Sequence, residues 1–313
     1  MIRSFLAITA LVALTACGDG NPFTDGDAGD DDAANAAIPE DIAGTFQAFS
    51  YDPANGTLTI TGLSRDEDVG AVSYVRKPAL DEGVYRAYTA QDDPLDEHTT
   101  VYVREHGDVS GAVALTGGQF TYFSAGVNFK RDGRYDPHPV DASDDTGLVT
   151  YTGEYIGLSD VNGPDTDLLP VPGGAGSGSI IPAQASVVRG RIFINIGFAS
   201  NNVAGTINER QITLDSGTFD LPDIQLEPTN LTTDGTFDGN AVTTNTGSRT
   251  NVGSYAGILG GPDSNVLAGG VYLKDHFEPV LSVEDEEEYG VFVLGKCGGA
   301  LEDPSPECDA VDD

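Results

Sequence analysis

The most regular hydrophobic pattern of the chain lies in residues 186–199, where apolar and polar side chains alternate. One face of this segment carries Val188, Ile192, Ile194, Ile196 and Phe198, and the opposite face carries Arg189, Arg191 and Asn195. A period of two is typical of a β-strand with one buried face, because successive side chains of a strand point to opposite sides. The segment therefore predicts a long, half-buried strand.

Shorter runs rich in β-branched and aromatic residues recur along the chain, separated by Gly, Asn, Asp and Pro turns. The first half contains predicted strands at 45–50, 57–61, 71–76, 84–89, 99–105, 109–115 and 119–125. The second half contains them at 148–155, 186–199, 203–209, 211–214, 224–227, 235–242, 253–259, 267–274 and 289–296. The sequence predicts an all-β protein whose C-terminal half is an eight-stranded antiparallel up-and-down barrel, since closure removes exposed sheet edges.

A junction rich in Pro and Asp at 131–147 separates the two groups of predicted strands. We place a β-rich N-terminal domain at 42–142 and the barrel at 143–297. Residues 18–40 hold seven acidic residues and no basic one, which predicts an acidic disordered tether at 17–41. Residues 298–313 are interpreted as an acidic C-terminal tail.

The N-terminus has the composition of a targeting signal. Arg3 precedes an apolar run at 5–16, which is shorter than the roughly 20 residues that a membrane-spanning helix needs. Residues 1–16 therefore fit a signal peptide. The run ends in Leu14-Thr15-Ala16-Cys17, which resembles the lipobox of bacterial lipoproteins, and this implies cleavage before Cys17, lipidation of Cys17 and, with Gly18 following, the outer membrane. An ordinary secretory signal with an incidental Cys is the alternative.

Two further cysteines, Cys297 and Cys308, lie near the C-terminus. An even pair of cysteines in an exported protein is most simply a disulfide. A metal-binding thiol pair is the alternative, although neither a His nor a third Cys lies nearby in the sequence. We predict the disulfide.

The charge of the chain is strongly negative: 50 acidic residues against 15 basic ones give −35 at pH 7. Such a surface excludes nucleic acid as a partner and disfavours an anionic lipid surface, because both attract Lys and Arg. Residues 143–313 alone hold 27 of the acidic and 6 of the basic residues. The barrel half thus suits a basic partner, a cation or salty surroundings.

Glycine and aromatic residues recur together in the second half. Gly235-Thr236-Phe237-Asp238-Gly239 and Gly253-Ser254-Tyr255-Ala256-Gly257 share the pattern G-x-aromatic-x-G. Because glycine and ring lie on one face of a strand, the glycine leaves room for a neighbouring ring in a curved sheet. With the opening Tyr151-Thr152-Gly153 and a closing strand at 266–272, residues 147–296 resemble the barrel domain of the transferrin-binding protein B family.

That resemblance implies a small barrel beside a β-rich handle domain, held on the outer leaflet by lipid. It also implies binding and not catalysis, since members of the family capture a host iron-carrier protein, haem or other ligands for uptake. The founding member has two lobes, whereas this chain has one barrel unit. The resemblance carries over no partner-contacting loop.

Catalytic motifs are missing from the sequence: it contains neither G-x-S-x-G nor H-E-x-x-H. The G-x-x-x-x-G-K match at 290–296 is a hydrophobic strand followed by Cys297, so we interpret it as chance. His98 and His106 lie about one strand apart and would suit a metal or haem site if they faced each other across a hairpin. Exposed loop histidines are the favoured interpretation of all four: His98, His106, His138 and His276.

Two acidic clusters have spacings that suit Ca²⁺. The first comprises residues 284–288 with Asp275 and Glu278, and the second comprises Asp160, Asn162, Asp165 and Asp167. Solvated loops are the favoured interpretation of both clusters. Ring stacking on a ligand is conceivable for Tyr122, Tyr135 and Tyr151, although packing is favoured. We therefore assign no metal site and no cofactor, with Ca²⁺ and haem left open.

The sequence favours a lipid-anchored, surface-exposed outer-membrane protein that is not an enzyme. Its expected work is the capture of a ligand or partner protein, as an accessory to iron or haem uptake through an outer-membrane receptor or translocator. A structural or adhesive lipoprotein without a small-molecule ligand is the alternative.

Overall fold

The computed structural model describes residues 38–63, 70–119, 122–140, 147–173, 178–245 and 248–309, and the fold is all-β, as predicted. The strands of these residues form two antiparallel sheets, of seven and nine strands. The described helices are single turns, namely α1 (Glu40–Ala43), α2 (Glu278–Leu281), α3 (Pro306–Asp309) and 3₁₀ turns at Pro78–Leu80, Gly178–Ile180 and Pro262–Ser264. None of the described helices has the length and apolar character that crossing a membrane requires.

The first sheet, which we call the handle sheet, is a meander in which each strand pairs with the next. Its strands are β1 (Ala48–Asp52), β2 (Thr57–Thr61), β3 (Val72–Arg76), β4 (Arg86–Ala90), β5 (Thr99–His106), β6 (Val109–Thr116) and β7 (Ala125–Arg131). The N–H of Thr45, just before β1, donates to the carbonyl of Ala125 in β7 at 2.9 Å. This contact brings the two edges of the sheet together, so the sheet is nearly closed.

One predicted strand of the handle sheet is wrong. Residues 119–125 were expected to be extended, but Gln119 and Tyr122 pair only with each other in an isolated bridge, and β7 begins at Ala125. The strand then runs to Arg131, with Val127, Phe129 and Arg131 on the buried face. The alternation was hidden because two buried positions near its ends are occupied by Ala125 and a charged Arg.

The second sheet is a closed, eight-stranded antiparallel barrel, which confirms the predicted architecture. The ring runs β8-β9-β10-β12-β13-β14-β15-β16 and returns to β8, while β11 pairs only with β10. The strands are β8 (Leu148–Asn162), β9 (Ala185–Gly197), β10 (Asn202–Leu214), β11 (Gly217–Asp220), β12 (Ile224–Asn230), β13 (Thr236–Asn245), β14 (Ser248–Gly260), β15 (Val266–Lys274) and β16 (Glu287–Lys296).

Strand β10 is continuous where the sequence predicts two strands. Its pairing with β9 shifts between Asn208 and Gln211, which leaves Glu209 and Arg210 in a bulge. Glu209 has a positive φ of 49°, which re-aims the next side chain. As a result the Arg210 side chain is 1% exposed, although its neighbours in sequence are polar.

Three apolar cores hold the molecule together. One fills the barrel interior, one lies inside the handle sheet, and one lies between the two sheets. The core between the sheets packs Val113 and Val127 of the handle sheet among residues of the barrel's outer face such as Ile258 and Val291. Burial of apolar surface between the two sheets stabilises their packing against each other.

The two G-x-aromatic-x-G motifs interlock in the barrel wall. Phe237 of β13 pairs with Gly257 of β14, and Gly239 pairs with Tyr255. A Cβ on Gly239 would lie 2.7 Å from Cε1 of Tyr255, so only glycine leaves the ring its place. The motifs are therefore a packing device, as the sequence predicts.

The loops of the two sheets meet at one end of the molecule, which we call the loop end. It comprises residues 91–98, 117–119 and 122–124 of the handle sheet and 163–173, 178–184, 215–223 and 275–286 of the barrel. A backbone hydrogen bond joins the loops of the handle sheet to those of the barrel: the N–H of Ala183 donates to the carbonyl of Gly118 at 3.2 Å. Residues 298–309, which we call the strap, follow β16 at the opposite end of the barrel.

Candidate partner-binding site

The barrel interior is filled by side chains. Its core cluster includes the rings of Tyr151, Tyr155, Phe237, Tyr255 and Phe292, each at most 2% exposed. A barrel of eight strands is narrow enough for side chains alone to fill it. Among the described residues, the interior is therefore a packed core that supports the loops it carries.

A cluster of charged and polar groups lies inside the barrel near the loop end. The Nη2 of Arg210 contacts Oε2 of Glu288 at 2.6 Å, and both side chains are fully buried. The hydroxyl of Tyr155 donates to Oε1 of Glu288 at 2.5 Å. His276 completes the cluster, because its Nε2 lies 3.0 Å from both Glu288 Oε2 and Arg210 Nη2.

Glycine makes room for this cluster. A Cβ on Gly157 would lie 2.7 Å from Oε1 of Glu288, and a Cβ on Gly190 would lie 3.2 Å from Cγ of Arg210. A Cβ on Gly290 would overlap the Tyr155 hydroxyl. These positions on β8, β9 and β16 explain why three adjacent strands each carry a glycine at this level.

The ionisation of the cluster is fixed by its neighbours. Burial alone would raise the pKa of Glu288, but Arg210, His276 and Tyr155 outweigh it and hold this pKa at about 2. Burial lowers the pKa of His276, against the opposing effect of Glu288. Near pH 7, Glu288 is therefore a carboxylate and His276 is neutral. The negative charge of Glu288 then compensates the positive charge of Arg210.

Glu286 connects this cluster to loop 275–286. Its Oε1 accepts the backbone N–H of His276 at 2.5 Å and also that of Phe277, at the start of α2. Glu286 is only 2% exposed. The loop is thus held by a carboxylate that faces inward, although the sequence around it is almost entirely acidic.

A second buried histidine fastens the long loop after β8 to the handle sheet. The Nε2 of His98 lies 3.0 Å from Oδ2 of Asp167, which also accepts the hydroxyl of Thr89 at 2.7 Å. Oδ1 of Asp167 contacts Nζ of Lys77 at 2.7 Å. The Asp167 N–H donates to Oε1 of Gln184 at 3.0 Å, on the other arm of the same loop. We call this group, formed by Lys77, Thr89, His98, Asp167 and Gln184, the clasp.

Large apolar side chains are exposed on the loops that this clasp holds. Five of the ten that are exposed among the described residues lie at the loop end. Four of them surround a common support and form what we call the apolar patch: Leu95, Tyr122, Leu169 and Ile180, which are 37%, 53%, 38% and 44% exposed. Exposed apolar side chains gathered on one surface are typical of a binding face.

The support of the apolar patch consists of two glutamines. The Nε2 of buried Gln119 donates to the carbonyls of Leu95 and Ile180 at 2.7 and 2.9 Å. Oε1 of Gln91 accepts the N–H of Leu169 at 2.8 Å. These two side-chain amides form hydrogen bonds with loops of both sheets. The patch is therefore pre-organised, and it spans the junction between handle sheet and barrel.

A cleft of about 270 Å³ lies between the handle sheet and the outer wall of the barrel. Its lining includes Glu82, Glu154, Arg189, Arg191 and Glu209. Arg189 pairs with Glu82, and Nη2 of Arg191 contacts Glu307 at 3.0 Å. The arginines of this cleft are therefore engaged by carboxylates of the protein itself.

The strap packs against the outer wall of the barrel, where Ser305 contacts Thr152 of β8 and Glu307 contacts Arg191 of β9. Cys297 and Cys308 form a disulfide, as the cysteine count predicts. Asp303 of the strap accepts two bonds from Arg104 of β5, at 2.6 and 3.0 Å, and Arg104 also donates to the carbonyl of Val293 in β16 at 2.6 Å. One buried arginine thus joins handle sheet, barrel and strap.

The expectation for the histidines is wrong in part. His98 and His276 are buried, at 0% and 2% exposure, and are not exposed loop residues. His98 precedes β5 and His106 ends it, so the two lie at opposite ends of one strand and do not face each other. The Nε2 of His106 instead donates to the carbonyl of Leu301 in the strap at 2.7 Å. A His98–His106 metal or haem site is excluded by this placement.

The acidic cluster at 284–288 is divided and is not one solvated loop tip. Glu286 and Glu288 are buried, whereas Glu284, Asp285, Asp275 and Glu278 are exposed. Alternation in the extended chain produces this division, because Glu286 and Glu288 point to the same inner face.

The second acidic cluster is spread over two structural elements. Asp160 and Asn162 end β8, Asp165 is exposed, and Asp167 is in the clasp with His98. Burial, with Glu287 nearby, raises the pKa of Asp160 to about 6. The described residues contain no group of three or more His, Cys, Asp or Glu side chains that could hold a metal ion.

The three tyrosines considered for stacking have different environments. Tyr151 is buried in the barrel and donates to the carbonyl of Ser264. Tyr135 is half-buried, with the Arg131 guanidinium 5.7 Å from its ring centre, while Tyr122 belongs to the apolar patch. Cys17 lies outside the described residues, so its lipidation stays a prediction.

Sequence reasoning missed the residues that build the apolar patch and its support. Leu95 and Ile180 are apolar residues in polar, Pro-rich loops, and this contrast could have identified them from the sequence. Gln91 and Gln119 carry no such signal, because their roles depend on bonds to loops 24 to 78 residues away. Arg210 was missed because the bulge reverses its direction.

No protein-family model and no curated protein sequence matches the chain. Solved structures do match it. The structure of intact Ap-TbpB, with N and C lobes, matches with a TM-score of 0.36 and 14% identity over 80% of this chain and 46% of that one. The isotype 1 transferrin binding protein B of serogroup B Neisseria meningitidis matches with a TM-score of 0.32 and 12% identity over 82% of this chain and 39% of that one.

A third match is a double mutant of the vaccine antigen transferrin binding protein B from Haemophilus parasuis Hp5, with a TM-score of 0.32 and 12% identity over 80% and 54% of the two chains. The chain spans about half the length of these proteins or less. The matched structures belong to the family whose barrel motifs the sequence resembles. At TM-scores this low, the likeness carries no inference about a ligand or partner.

Proposed function

We propose that the protein is a lipid-anchored binding protein of the cell surface, and that it captures a partner protein with the apolar patch. The observation that carries this proposal is the exposure of Leu95, Tyr122, Leu169 and Ile180 on loops that buried hydrogen bonds hold in place. Exposing apolar side chains is unfavourable in a chain that folds alone. A rigid support for them is the expected design of a surface that must bind.

The path of the N-terminal segment supports a patch that faces away from the membrane. Ile38 and Pro39 line a groove together with Phe129 and Phe237. Phe129 lies near the end of β7, and Phe237 lies near the start of β13. From there the chain approaches the loop end, where the Thr45 N–H donates to Ala125 at the start of β7. A tether joined at Ile38 therefore enters the folded part away from the apolar patch.

The sequence resemblance adds a biological setting to this proposal. An accessory role in iron or haem uptake, beside an outer-membrane receptor or translocator, is what the transferrin-binding protein B family implies. The filled barrel interior favours a protein over a small molecule as the captured species, since the described barrel core is packed with its own side chains. We propose no catalytic activity.

Two experiments test the proposal. Protease added to intact cells should remove the protein, and survival until the outer membrane is broken would contradict surface display. In the second experiment, the full chain is used to capture proteins from the native environment. Specific, saturable retention of one protein is expected, whereas a lack of retention together with an envelope defect on deletion would favour the structural alternative.

A matched pair of variants locates the binding surface. Leu169→Ser with Ile180→Ser removes two side chains of the apolar patch. Val72→Ser with Val75→Ser removes two exposed apolar side chains of β3, which are 37% and 62% exposed. The retained protein should be lost by the first variant and kept by the second. Equal retention by both variants would place the binding surface elsewhere.

A further inference from the structure

The loops around the apolar patch differ sharply from the rest of the chain in charge. The described residues of the loop end hold fourteen Asp and Glu and no Lys or Arg: four acids in 91–98, two in 163–173, three in 215–223 and five in 275–286. Two cations that reach this end are paired with carboxylates: Lys77 contacts Asp167 at 2.7 Å, and Arg210 contacts Glu288 at 2.6 Å. A third, Lys274, is exposed and directly precedes loop 275–286. The described loops of the loop end are therefore predominantly negative.

Three carboxylates at the border of the apolar patch are available to a partner. Asp92 and Asp96 flank Leu95, and Asp165 precedes the clasp residue Asp167. All three are exposed, and among the described residues none of them has an ion-pair partner. Asp93 differs, because its Oδ1 accepts the N–H of Leu95 at 3.1 Å and so shapes the loop.

An apolar centre with a charged border is the ordinary anatomy of a protein interface. Resting on the capture proposed above, we infer that the partner is a protein whose contact surface surrounds apolar side chains with Lys and Arg. An acidic partner would bring like charges together at this border, which opposes binding, whereas a basic one is steered toward the patch. An anionic membrane or a nucleic acid is disfavoured by the same field.

The test uses the full chain and synthetic peptides as probes. The first peptide alternates Lys and Leu, the second alternates Lys and Ser, and the third alternates Glu and Leu. The Lys/Leu peptide should bind most tightly and should protect amides of 91–98 and 163–173 from hydrogen exchange. Its affinity should fall at about 1 M salt, where the Debye length is ~3 Å. Equal or tighter binding of the Glu/Leu peptide would overturn the inference.

Charge-reversed variants separate a local site from the general charge of the protein. Asp92→Lys, Asp96→Lys and Asp165→Lys together should weaken binding of the Lys/Leu peptide by about tenfold or more, as the loss of several complementary charges at a border implies. The control changes three exposed acids away from the loop end, Asp132→Lys, Asp234→Lys and Asp238→Lys, by the same total charge. Equal weakening by both variants would also overturn the inference.

These results are distinguishable from a failure of the proposed function. If serine substitution in the apolar patch abolishes capture of the native partner while the three Lys substitutions leave that capture unchanged, the patch binds a partner that is not basic. In that case only the inference about charge is wrong. If neither variant affects capture, the apolar patch itself is not the binding surface.

Discussion

The barrel interior and the loop end place side chains in opposite ways. The interior buries the charged pair Arg210 and Glu288, and the loop end exposes apolar side chains such as Leu169 and Ile180. Both placements depart from the general tendency of proteins to bury apolar groups and expose charges. The buried charges are compensated within the molecule by each other, whereas the exposed apolar groups keep more than a third of their surface in contact with solvent.

This difference separates stability from function. Paired charges inside a barrel hold strands and loops in one arrangement, so removing one of them should strongly destabilise the protein. Partly exposed apolar groups on the surface contribute less to folding than a buried charge pair, so removing them should cost less stability and should affect mainly binding.

The largest effect is expected from Arg210. Arg210→Met leaves Glu288 as an uncompensated buried charge and should lower the free energy of unfolding by about 3–5 kcal/mol. Arg189 is the matched control, because it also belongs to an Arg–Glu pair but its side chain is 44% exposed. Arg189→Met should cost less than about 1 kcal/mol. Equal losses in urea unfolding would refute the distinction between the two pairs.

The pH dependence of the same pair follows from Glu288. Its pKa in the folded protein is about 2, below the ordinary value of 4.5. The stabilisation is thus complete above about pH 4.5 and is lost as the pH falls toward about 2. Glu288→Gln should remove this part of the acid dependence, and an acid unfolding curve that it leaves unaltered would contradict the assignment.

The disulfide comes next in size. Replacing Cys297 and Cys308 with Ser opens a loop with a sequence separation of 11. The free energy of unfolding should fall by about 2–3 kcal/mol, since the unfolded chain regains the freedom that the bond removed. Hydrogen exchange should rise in the strap, which carries Asp303, and remain unchanged at the loop end. A change confined to the loop end would contradict this separation of the two ends.

A smaller effect is expected from the clasp. His98→Gln should cost about 1 kcal/mol, the ordinary contribution of one hydrogen bond. Burial lowers the pKa of His98 in the folded protein, so its stabilisation is present above pH 6.5 and declines as the pH falls below 6.5. Exchange of the Asp167 and Leu169 amides should therefore rise on acidification in the wild type. If the exchange of these amides rises equally on acidification in His98→Gln, a group other than His98 causes the rise.

The sequence predicted the repetitive parts of the fold and not the contacts between them. Alternation identified β9, and the paired glycine-aromatic motifs identified the wall of β13 and β14, because both depend on residues within one or two neighbouring strands. The end of the handle sheet was misplaced, since β7 carries Arg131 at a buried position and so lacks an apolar alternation over its full length.

The candidate site was less accessible to such reasoning. Its support depends on Gln119, which joins Leu95 and Ile180 over separations of 24 and 61 residues. The clasp depends on His98 and Asp167, which are 69 residues apart. Sequence alone gives no distance between such residues, so their burial was not predictable and exposed loops were the natural expectation.

The most direct measurement of the central claim compares stability and binding in the apolar patch. Leu169→Ser with Ile180→Ser should lower the free energy of unfolding by about 1–2 kcal/mol, because both side chains are 38–44% exposed and so only partly buried. The same variant should lose the captured protein, whereas Val72→Ser with Val75→Ser should retain it. Full binding by the folded patch variant would contradict the claim that the loop end is the binding surface.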